Sequence, residues 1–385
     1  MSFKRVIFWS HLIVGVVFGL VVFSMSVTGV LLTYERQIVA FMENRAVIRG
    51  PEAKPLSVDE LVRKAVEDGA KPGNSLVLSS AEGAAARVSV SRRESFLVNP
   101  YTGERIEAAA DGTRAFFGTV TALHRWFALT GESRDAGRAV TGAANLGFLF
   151  LLVSGLYLWW PKKWKWRIVR MNLLFRRGLP TAKARDYNWH HVFGIWALVP
   201  LFAVVVSGVV ISYPWAGNLV TAAFGPAGGA QPGRSADAQE QGQGAAGGEL
   251  ISLQAIIDGL KQQTPGWRSL TLKIPNENAA RAVITVDAGN GTQLSRQKTV
   301  TVSRVSGETL GVAGPEDQPS GRRARVFLRF LHTGEVYGIV GQTLAGLASL
   351  AAVLLFYTGF ALAYRRLIQP VLRRTARAWT VRAGK

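Results

Sequence analysis

The sequence of 385 residues contains no cysteine. This absence excludes structural disulfides, thiolate metal sites, cysteine-ligated iron–sulfur clusters and haem attached through a Cys-x-x-Cys-His motif. No Gly-x-Gly-x-x-Gly or P-loop motif occurs in a strand–helix context, so no recognisable nicotinamide or flavin fold is expected. Histidine is scarce, with five residues, and 25 acidic residues stand against 45 basic ones, which gives a formal net charge of +20.

Charged residues are also missing from the central parts of four long apolar segments, at about 6–34, 139–160, 192–213 and 338–364. A helix needs about 20 apolar residues to cross a bilayer, and Trp, Tyr, Lys or Arg flank each segment, as is typical of membrane interfaces. A single segment of this kind is explained equally well as a buried helix of a soluble protein. Four such segments in one sequence argue against a soluble protein. The first segment is too long for a signal peptide and lacks a cleavage site. We therefore predict an α-helical membrane protein with a four-transmembrane-helix bundle.

The positive charge is concentrated in three segments that face the same side if there are four spans. The N-terminus, residues 161–188 and the tail after residue 364 carry 18 basic residues and one acidic residue, a net charge of +17 out of +20. The positive-inside rule places these segments in the cytoplasm, so both termini are predicted to be cytoplasmic. Residues 35–138 and 214–337 are then extracytoplasmic. Because the topology accounts for the charge, nucleic acid is not an expected partner.

The two halves of the sequence resemble one another. Each half consists of a span, an extracytoplasmic domain, an approach helix with a histidine, and a second span. The odd spans end in "SVTGVLLTY" and "VSGVVISY", and the even spans end in "VSGLYLWW" and "YTGFALAY". Each extracytoplasmic domain begins with a helix, marked in the first by the capping box at Ser57 and Glu60. Each ends in a hairpin with a glycine in its turn, Gly103 or Gly307. We predict two small α+β domains.

The predicted boundaries follow from these patterns. They are 1–34 for the first span, 35–112 for the first α+β domain, 113–160 for an approach helix and the second span, 161–188 for a basic loop, 189–213 for the third span, 214–320 for a linker and the second α+β domain, 321–364 for an approach helix and the fourth span, and 365–385 for a basic tail. The linker is the segment 225–248, which is rich in Gly, Ala, Gln and Ser and is predicted to be flexible.

The five histidines lie near the ends of the spans. His11, His190 and His191 occur at the cytoplasmic starts of the odd spans, whereas His124 and His332 precede the even spans. A single histidine in such a place is explained as an interfacial residue with its polar tip among lipid headgroups. The repetition of the positions in both halves argues against that explanation.

His11 and His190 occupy equivalent positions in the repeat. The same intervals of 4, 18 and 23 residues lead from His11 to Gly15, Gly29 and Tyr34 and from His190 to Gly194, Gly208 and Tyr213. Residues four apart share a helix face, so Gly15 and Gly194 each leave room for a flat group beside an imidazole. His191 points about 100° away from His190 around the helix and is predicted only to border the site.

Paired imidazoles on facing helices are one way in which helix bundles hold haem. Two ligands in each layer fit the axial positions of a haem iron, whereas a structural zinc site needs four protein ligands. Bis-histidine haem is therefore the favoured interpretation, and another metal or no metal remains open.

These motifs resemble the PepSY-associated transmembrane family. The resemblance rests on "SHLIVG" and "HHVFG" at the odd spans, "LHRWFAL" and "FLHTGEVYG" before the even spans, and the hairpins "VNPYTGE" and "SRVSGE". It covers nearly the whole chain except residues 225–248. Within the family, the sequence looks most like bacterial inner-membrane ferric-siderophore reductases of the FoxB type. That resemblance implies two haem b groups, one bound by His11 and His190 on the cytoplasmic side and one by His124 and His332 on the periplasmic side.

The expected function is electron transfer across the inner membrane that reduces Fe(III) in a ferric siderophore. Hard oxygen donors hold Fe(II) less well than Fe(III), so reduction favours release. The electron donor is a quinol or a cytoplasmic reductase. Arg125 is expected either to pair with a haem propionate or anionic ligand or to extend to the headgroups. Trp126, Tyr213 and Trp215 are expected to anchor in membrane lipid rather than to contact a ligand.

Two other functions are compatible with the sequence. A haem or metal transporter needs polar residues along a path, which the nearly charge-free span centres disfavour. A regulatory or binding protein that acts through its extracytoplasmic domains needs no histidine pairs.

Overall fold

The structure, a computed structural model, describes residues 2–91, 94–225 and 250–373. The chain divides into two compact units, each built from both halves of the sequence. The helical unit comprises the residues up to Tyr34, Phe117–Gly217 and the residues from Leu331 onwards, and the sheet unit comprises Glu35–Phe116 and Asn218–Phe330. The predicted linker at 225–248, apart from Gly225, and the tail beyond residue 373 lie outside the described residues.

The elements of the described residues follow one another in an order that repeats. They are α1 (Phe3–Leu32), α2 (Glu35–Arg45), α3 (Val58–Glu67), β1 (Ser75–Ser79), β2 (Ala86–Ser89), β3 (Ser95–Val98), β4 (Arg105–Ile106), α4 (Asp111–Trp126), α5 (Ser133–Trp159), α6 (Trp166–Leu173), α7 (Ala182–Ser212), α8 (Pro214–Phe224), α9 (Leu253–Gln263), β5 (Ser269–Lys273), β6 (Arg281–Asp287), β7 (Gln297–Ser303), β8 (Thr309–Ala313), α10 (Ser320–His332) and α11 (Gly338–Leu367).

Among the described residues, the helical unit contains four helices that are long and apolar enough to cross a membrane, in agreement with the four predicted spans. Within each half the two spans pack together, α1 on α5 and α7 on α11, and between the halves α1 packs on α11 and α5 on α7. Buried apolar side chains from all four helices form the core of the bundle, among them Val22, Phe148, Leu201 and Phe356. The protein is therefore a multi-pass membrane protein.

The predicted basic loop at 161–188 is partly helical, which corrects its boundary. Helix α6 lies within it, and α7 begins at Ala182 instead of residue 189. Thr181 caps α7, because its side chain accepts a hydrogen bond from the backbone N–H of Ala184 at 3.2 Å. Lys and Arg are good helix formers, so a run of basic residues does not by itself predict a loop.

The sheet unit contains one antiparallel sheet of eight strands in the order β4-β3-β2-β1-β5-β6-β7-β8. The first strands of the two halves pair with each other, from Ser75 opposite Lys273 to Ser79 opposite Ser269. Residues of both halves share one hydrophobic core. The two predicted α+β domains are therefore joined in a single unit, and β5, which makes the joint, was not predicted from the sequence.

Helices α3 and α9, which are equivalent in the two halves, also accept hydrogen bonds from each other's first backbone N–H groups. The predicted capping box is confirmed, with the Ser57 side chain accepting from the N–H of Glu60 and the Glu60 carboxylate accepting from the N–H of Ser57. Asp59 of α3 accepts hydrogen bonds of 2.9 Å from the first two N–H groups of α9. In return, Gln254 of α9 accepts one of 2.9 Å from the N–H of Val58. These contacts provide acceptors for N–H groups that have no intrahelical partner at the start of a helix.

A buried ion cluster links α2 to the sheet. The Glu43 side chain is 5% exposed and lies 2.5 Å from the guanidinium of Arg87 on β2. Its second carboxylate oxygen bonds to Arg114 on α4. One buried carboxylate is thus compensated by two partly exposed arginines.

Candidate functional site

His11 and His190 are each held by a hydroxyl group from the other span of the same half. Nδ1 of His11 on α1 lies 2.8 Å from Oγ of Ser154 on α5. Nδ1 of His190 on α7 lies 3.0 Å from Oγ1 of Thr358 on α11. His11 and His190 occupy equivalent positions in the two halves. They form what we call the first histidine pair.

His124 and His332 form the second histidine pair. Nδ1 of His124, near the end of α4, lies 2.9 Å from Oγ1 of Thr28 on α1. Nδ1 of His332, at the end of α10, lies 2.8 Å from the carbonyl oxygen of Val204 and 3.4 Å from Oγ of Ser207, both on α7. The two imidazole rings lie edge to face, with centroids 6.3 Å apart and planes inclined by 63°.

The separation of the second pair is suitable for one metal ion between the rings. A metal bonded to both imidazoles at about 2.0–2.1 Å would fit rings whose centroids are about 6 Å apart. At all four histidines of the two pairs, Nδ1 is already hydrogen-bonded to a residue of a span. The other ring nitrogen, Nε2, is therefore the one left for a metal.

In every span, the hydroxyl residue is followed by a glycine that lies against the same imidazole. The Ser/Thr-Gly dipeptides are Thr28-Gly29, Ser154-Gly155, Ser207-Gly208 and Thr358-Gly359. A Cβ atom on these glycines would lie close to Cε1 of the ring, at 3.8 Å for Gly29 and His124, 3.4 Å for Gly155 and His11, 3.2 Å for Gly208 and His332, and 3.5 Å for Gly359 and His190. The dipeptides were recognised in the sequence as repeated span endings, but only the side-chain contacts connect them to the histidines.

Gly15 and Gly194 occupy equivalent positions on α1 and α7. A Cβ atom on Gly15 would lie 3.8 Å from Leu151, and one on Gly194 would lie 3.7 Å from Leu355. Both distances are ordinary van der Waals contacts with the neighbouring span of the same half. Their role in accommodating a flat group stays a prediction.

His191 has a different environment from His190. Within the residues that the structure describes, its Nδ1 atom is buried and has no hydrogen-bond partner. Its ring lies against Tyr187, with centroids 4.3 Å apart. No hydroxyl–glycine dipeptide holds it, which agrees with its lack of a counterpart in the first half.

The other predicted residues form aromatic and cation–π contacts. The Arg125 guanidinium lies 5.1 Å from the ring centre of Trp126, and Arg134 lies 4.0 Å from the same ring. Tyr213 and Trp215 have ring centroids 5.9 Å apart. Their suggested contacts with lipid or ligand stay predictions.

The histidines occur as pairs and not as a larger cluster. Across the described ranges, no group of three or more His, Cys, Asp or Glu residues is arranged to hold a metal ion. The two pairs are separated by the same length of span in both halves, since Thr28 follows His11 by 17 residues and Ser207 follows His190 by 17. At 1.5 Å per helical residue, this is about 25 Å, compared with about 30 Å for the hydrocarbon core of a bilayer.

Comparison with known proteins gives one family. The model described as the PepSY-associated TM region matches residues 8–366, which include α5 and α7, most of α1 and α11, and both histidine pairs. No curated protein matches the chain.

Proposed function

We propose that this chain, which belongs to the PepSY-associated transmembrane family, is an oxidoreductase that reduces Fe(III) in ferric siderophores at the periplasmic side of a bacterial inner membrane. It would hold two haem b groups, one bound by the first histidine pair, His11 and His190, and one by the second, His124 and His332. The observation that carries the proposal is that His124 and His332 lie with ring centroids 6.3 Å apart, while His11 and His190 occupy equivalent positions about 25 Å away along the spans.

The residues present fit haem better than a bare metal ion. Each pair offers two neutral imidazoles, which would hold a haem iron as its two protein ligands. The 6.3 Å separation of the His124 and His332 rings suits an ion bonded to both. When bound, haem supplies one-electron redox chemistry. The protein contributes the position of the imidazoles and the apolar surroundings.

The distribution of charge supports an orientation. The basic segments next to α1, α6 and the end of α11 are expected in the cytoplasm, so the first histidine pair lies near the cytoplasmic face and the second near the periplasmic face. The sheet unit is then periplasmic. Electrons from a quinol or a cytoplasmic reductase would enter at the first pair and leave at the second, and each Fe(III) accepts one electron to become Fe(II).

An absorption spectrum of the purified protein tests the cofactor. We expect low-spin haem b at two groups per chain, and one group fewer after His11→Ala or His124→Ala, as measured by pyridine haemochrome. A colourless wild-type protein would contradict the proposal.

The substrate requires a second experiment. Dithionite-reduced protein, freed of excess reductant, is mixed with a ferric hydroxamate siderophore, and haem reoxidation is followed in the α band. The same siderophore loaded with Ga(III), which does not accept an electron under these conditions, is the control. Equal reoxidation with both complexes would reject ferric siderophores as the substrate.

A further inference from the structure

We propose that Thr28, Ser154 and Thr358 are positioning residues that fix the tautomer of His124, His11 and His190, whereas Ser207 is dispensable for His332. The inference rests on the proposed function, because the tautomer determines which ring nitrogen is available to haem. It assigns a role to span hydroxyls that the histidine pattern alone does not reveal.

The protons of the three hydroxyl groups are already used within their own helices. Oγ of Ser154 donates to the carbonyl of Phe150 at 2.6 Å. Oγ1 of Thr28 and Oγ1 of Thr358 each donate to the carbonyl four residues earlier at 2.8 Å. A hydroxyl group has one proton, so each oxygen faces its histidine as an acceptor. Nδ1 of the histidine must then carry the ring proton, and Nε2 keeps its lone pair.

A hydrogen bond to the second ring nitrogen of a metal-binding histidine fixes the ring orientation and raises the basicity of the ligand. The contacts of Ser154, Thr28 and Thr358 with Nδ1 of their histidines are of this kind.

His332 differs from the other three. Its Nδ1 lies 2.8 Å from the carbonyl oxygen of Val204, while Oγ of Ser207 is farther away at 3.4 Å. The carbonyl is part of the backbone and remains in place when the side chain is changed. Loss of the Ser207 hydroxyl therefore leaves the tautomer of His332 fixed.

A serine or threonine in a span does not need a histidine to satisfy its hydroxyl group. Ser26, which is buried on α1, donates to the carbonyl of Val22 at 2.7 Å and has no imidazole partner. It thus makes the same intrahelical bond as Thr28 without the second contact. Ser26→Ala is accordingly the matched control for a purely local effect on the helix.

The experiment compares Thr28→Val, Ser154→Ala and Thr358→Val with Ser207→Ala and Ser26→Ala. Haem-loaded protein is mixed with excess apomyoglobin, which captures released haem, and the rate of haem loss is followed by absorbance. The first three variants are expected to lose haem about 10–100-fold faster from the affected pair, with a changed low-spin electron paramagnetic resonance spectrum of that haem. The two controls should stay within about twofold of the wild type, because neither removes a close Nδ1 contact.

Two results would overturn the inference. One is wild-type haem retention in the three hydroxyl variants, and the other is equal loss in Ser207→Ala and Thr28→Val, which affect the same pair. Thr28→Ser, which keeps the hydroxyl group, should retain haem as well as the wild type does. If the wild type contains no haem, the proposed function fails, and the tautomers are read from nitrogen-15 shifts of histidine-labelled protein. Protonation of Nδ1 of His124 in the wild type but not in Thr28→Val is then the expected result, and unchanged shifts would refute it.

Discussion

Gly208→Ala tests how closely α7 packs against the second histidine pair. A Cβ atom on Gly208 would lie 3.2 Å from Cε1 of His332 and 3.0 Å from Nδ2 of Asn145. Both neighbours are fixed by hydrogen bonds to α7, His332 to the carbonyl of Val204 at 2.8 Å and Asn145 to that of Val205 at 3.1 Å. The added methyl group is therefore expected to displace the imidazole.

The magnitude follows from the cost of overpacking. Inserting a methyl group into a well-packed interior costs about 1–3 kcal/mol. Alanine is better than glycine in a helix by about 1 kcal/mol, so the stability of the bundle should change little. If the strain falls on the position of His332, haem binding at the second pair weakens by about 5–150-fold, since 1.4 kcal/mol is a factor of ten.

Gly29→Ala is the matched control, because Gly29 holds the same place in the first half. Its Cβ atom would lie 3.8 Å from Cε1 of His124, an ordinary contact, and 3.2 Å from Oγ of Ser349, which bonds to the carbonyl of Ala345 at 3.0 Å, so that any adjustment falls on Ser349 and not on the imidazole. Both variants affect the same haem. Haem content and transfer to apomyoglobin should show loss in Gly208→Ala and retention in Gly29→Ala. Equal behaviour of the two variants would refute the steric argument.

Three further predictions concern other residues. His190→Ala should remove one haem per chain and His191→Ala none, as measured by pyridine haemochrome; loss in both would contradict the distinction between them. Glu43→Ala should destabilise the sheet unit by about 1–3 kcal/mol, less than for a fully buried pair, because the two arginines are partly exposed. Circular dichroism should record this loss as a lower melting temperature. Ser57→Ala should cost about 1 kcal/mol at pH 7. Hydrogen bonds from the Ser57 side chain and backbone lower the pKa of Glu60. The part of the stabilisation that depends on the Glu60 carboxylate is therefore present above the ordinary pKa of that group and is lost as the pH falls through the lower folded pKa; a deficit that grows in acid would contradict it.

The spans were predictable because hydropathy and charge are local patterns, whereas the joined sheet was not. Strand β5, Ser269–Lys273, has five residues, and its partner β1 lies far away in the sequence. The local pattern does not specify this long-range pairing. Physically, each half alone would leave its first strand as an unpaired edge, which is prone to pair with another strand. The two halves remove both edges by pairing β1 with β5.

The sequence could name the candidate site only as far as the histidines, whose role as ligands stays a prediction. The equal intervals after His11 and His190 distinguished His190 from His191, and the structure gives His190 a hydroxyl partner that His191 lacks. The hydroxyl partners were not predictable, because serine and threonine in helices often bond only to their own backbone, as Ser26 does. Which of them also faces a ring depends on how the helices pack.

The contacts of the histidines divide between the halves in a consistent way. Each histidine is fixed by its own half, as His11 is by Ser154 and His332 is by Val204. Each pair, in contrast, takes one histidine from each half. The orientation of these four imidazoles is therefore determined by contacts within each half, and the packing of the halves determines how the two rings of a pair are placed relative to each other. The β1–β5 pairing joins the halves of the sheet unit by the same principle, with one equivalent strand from each.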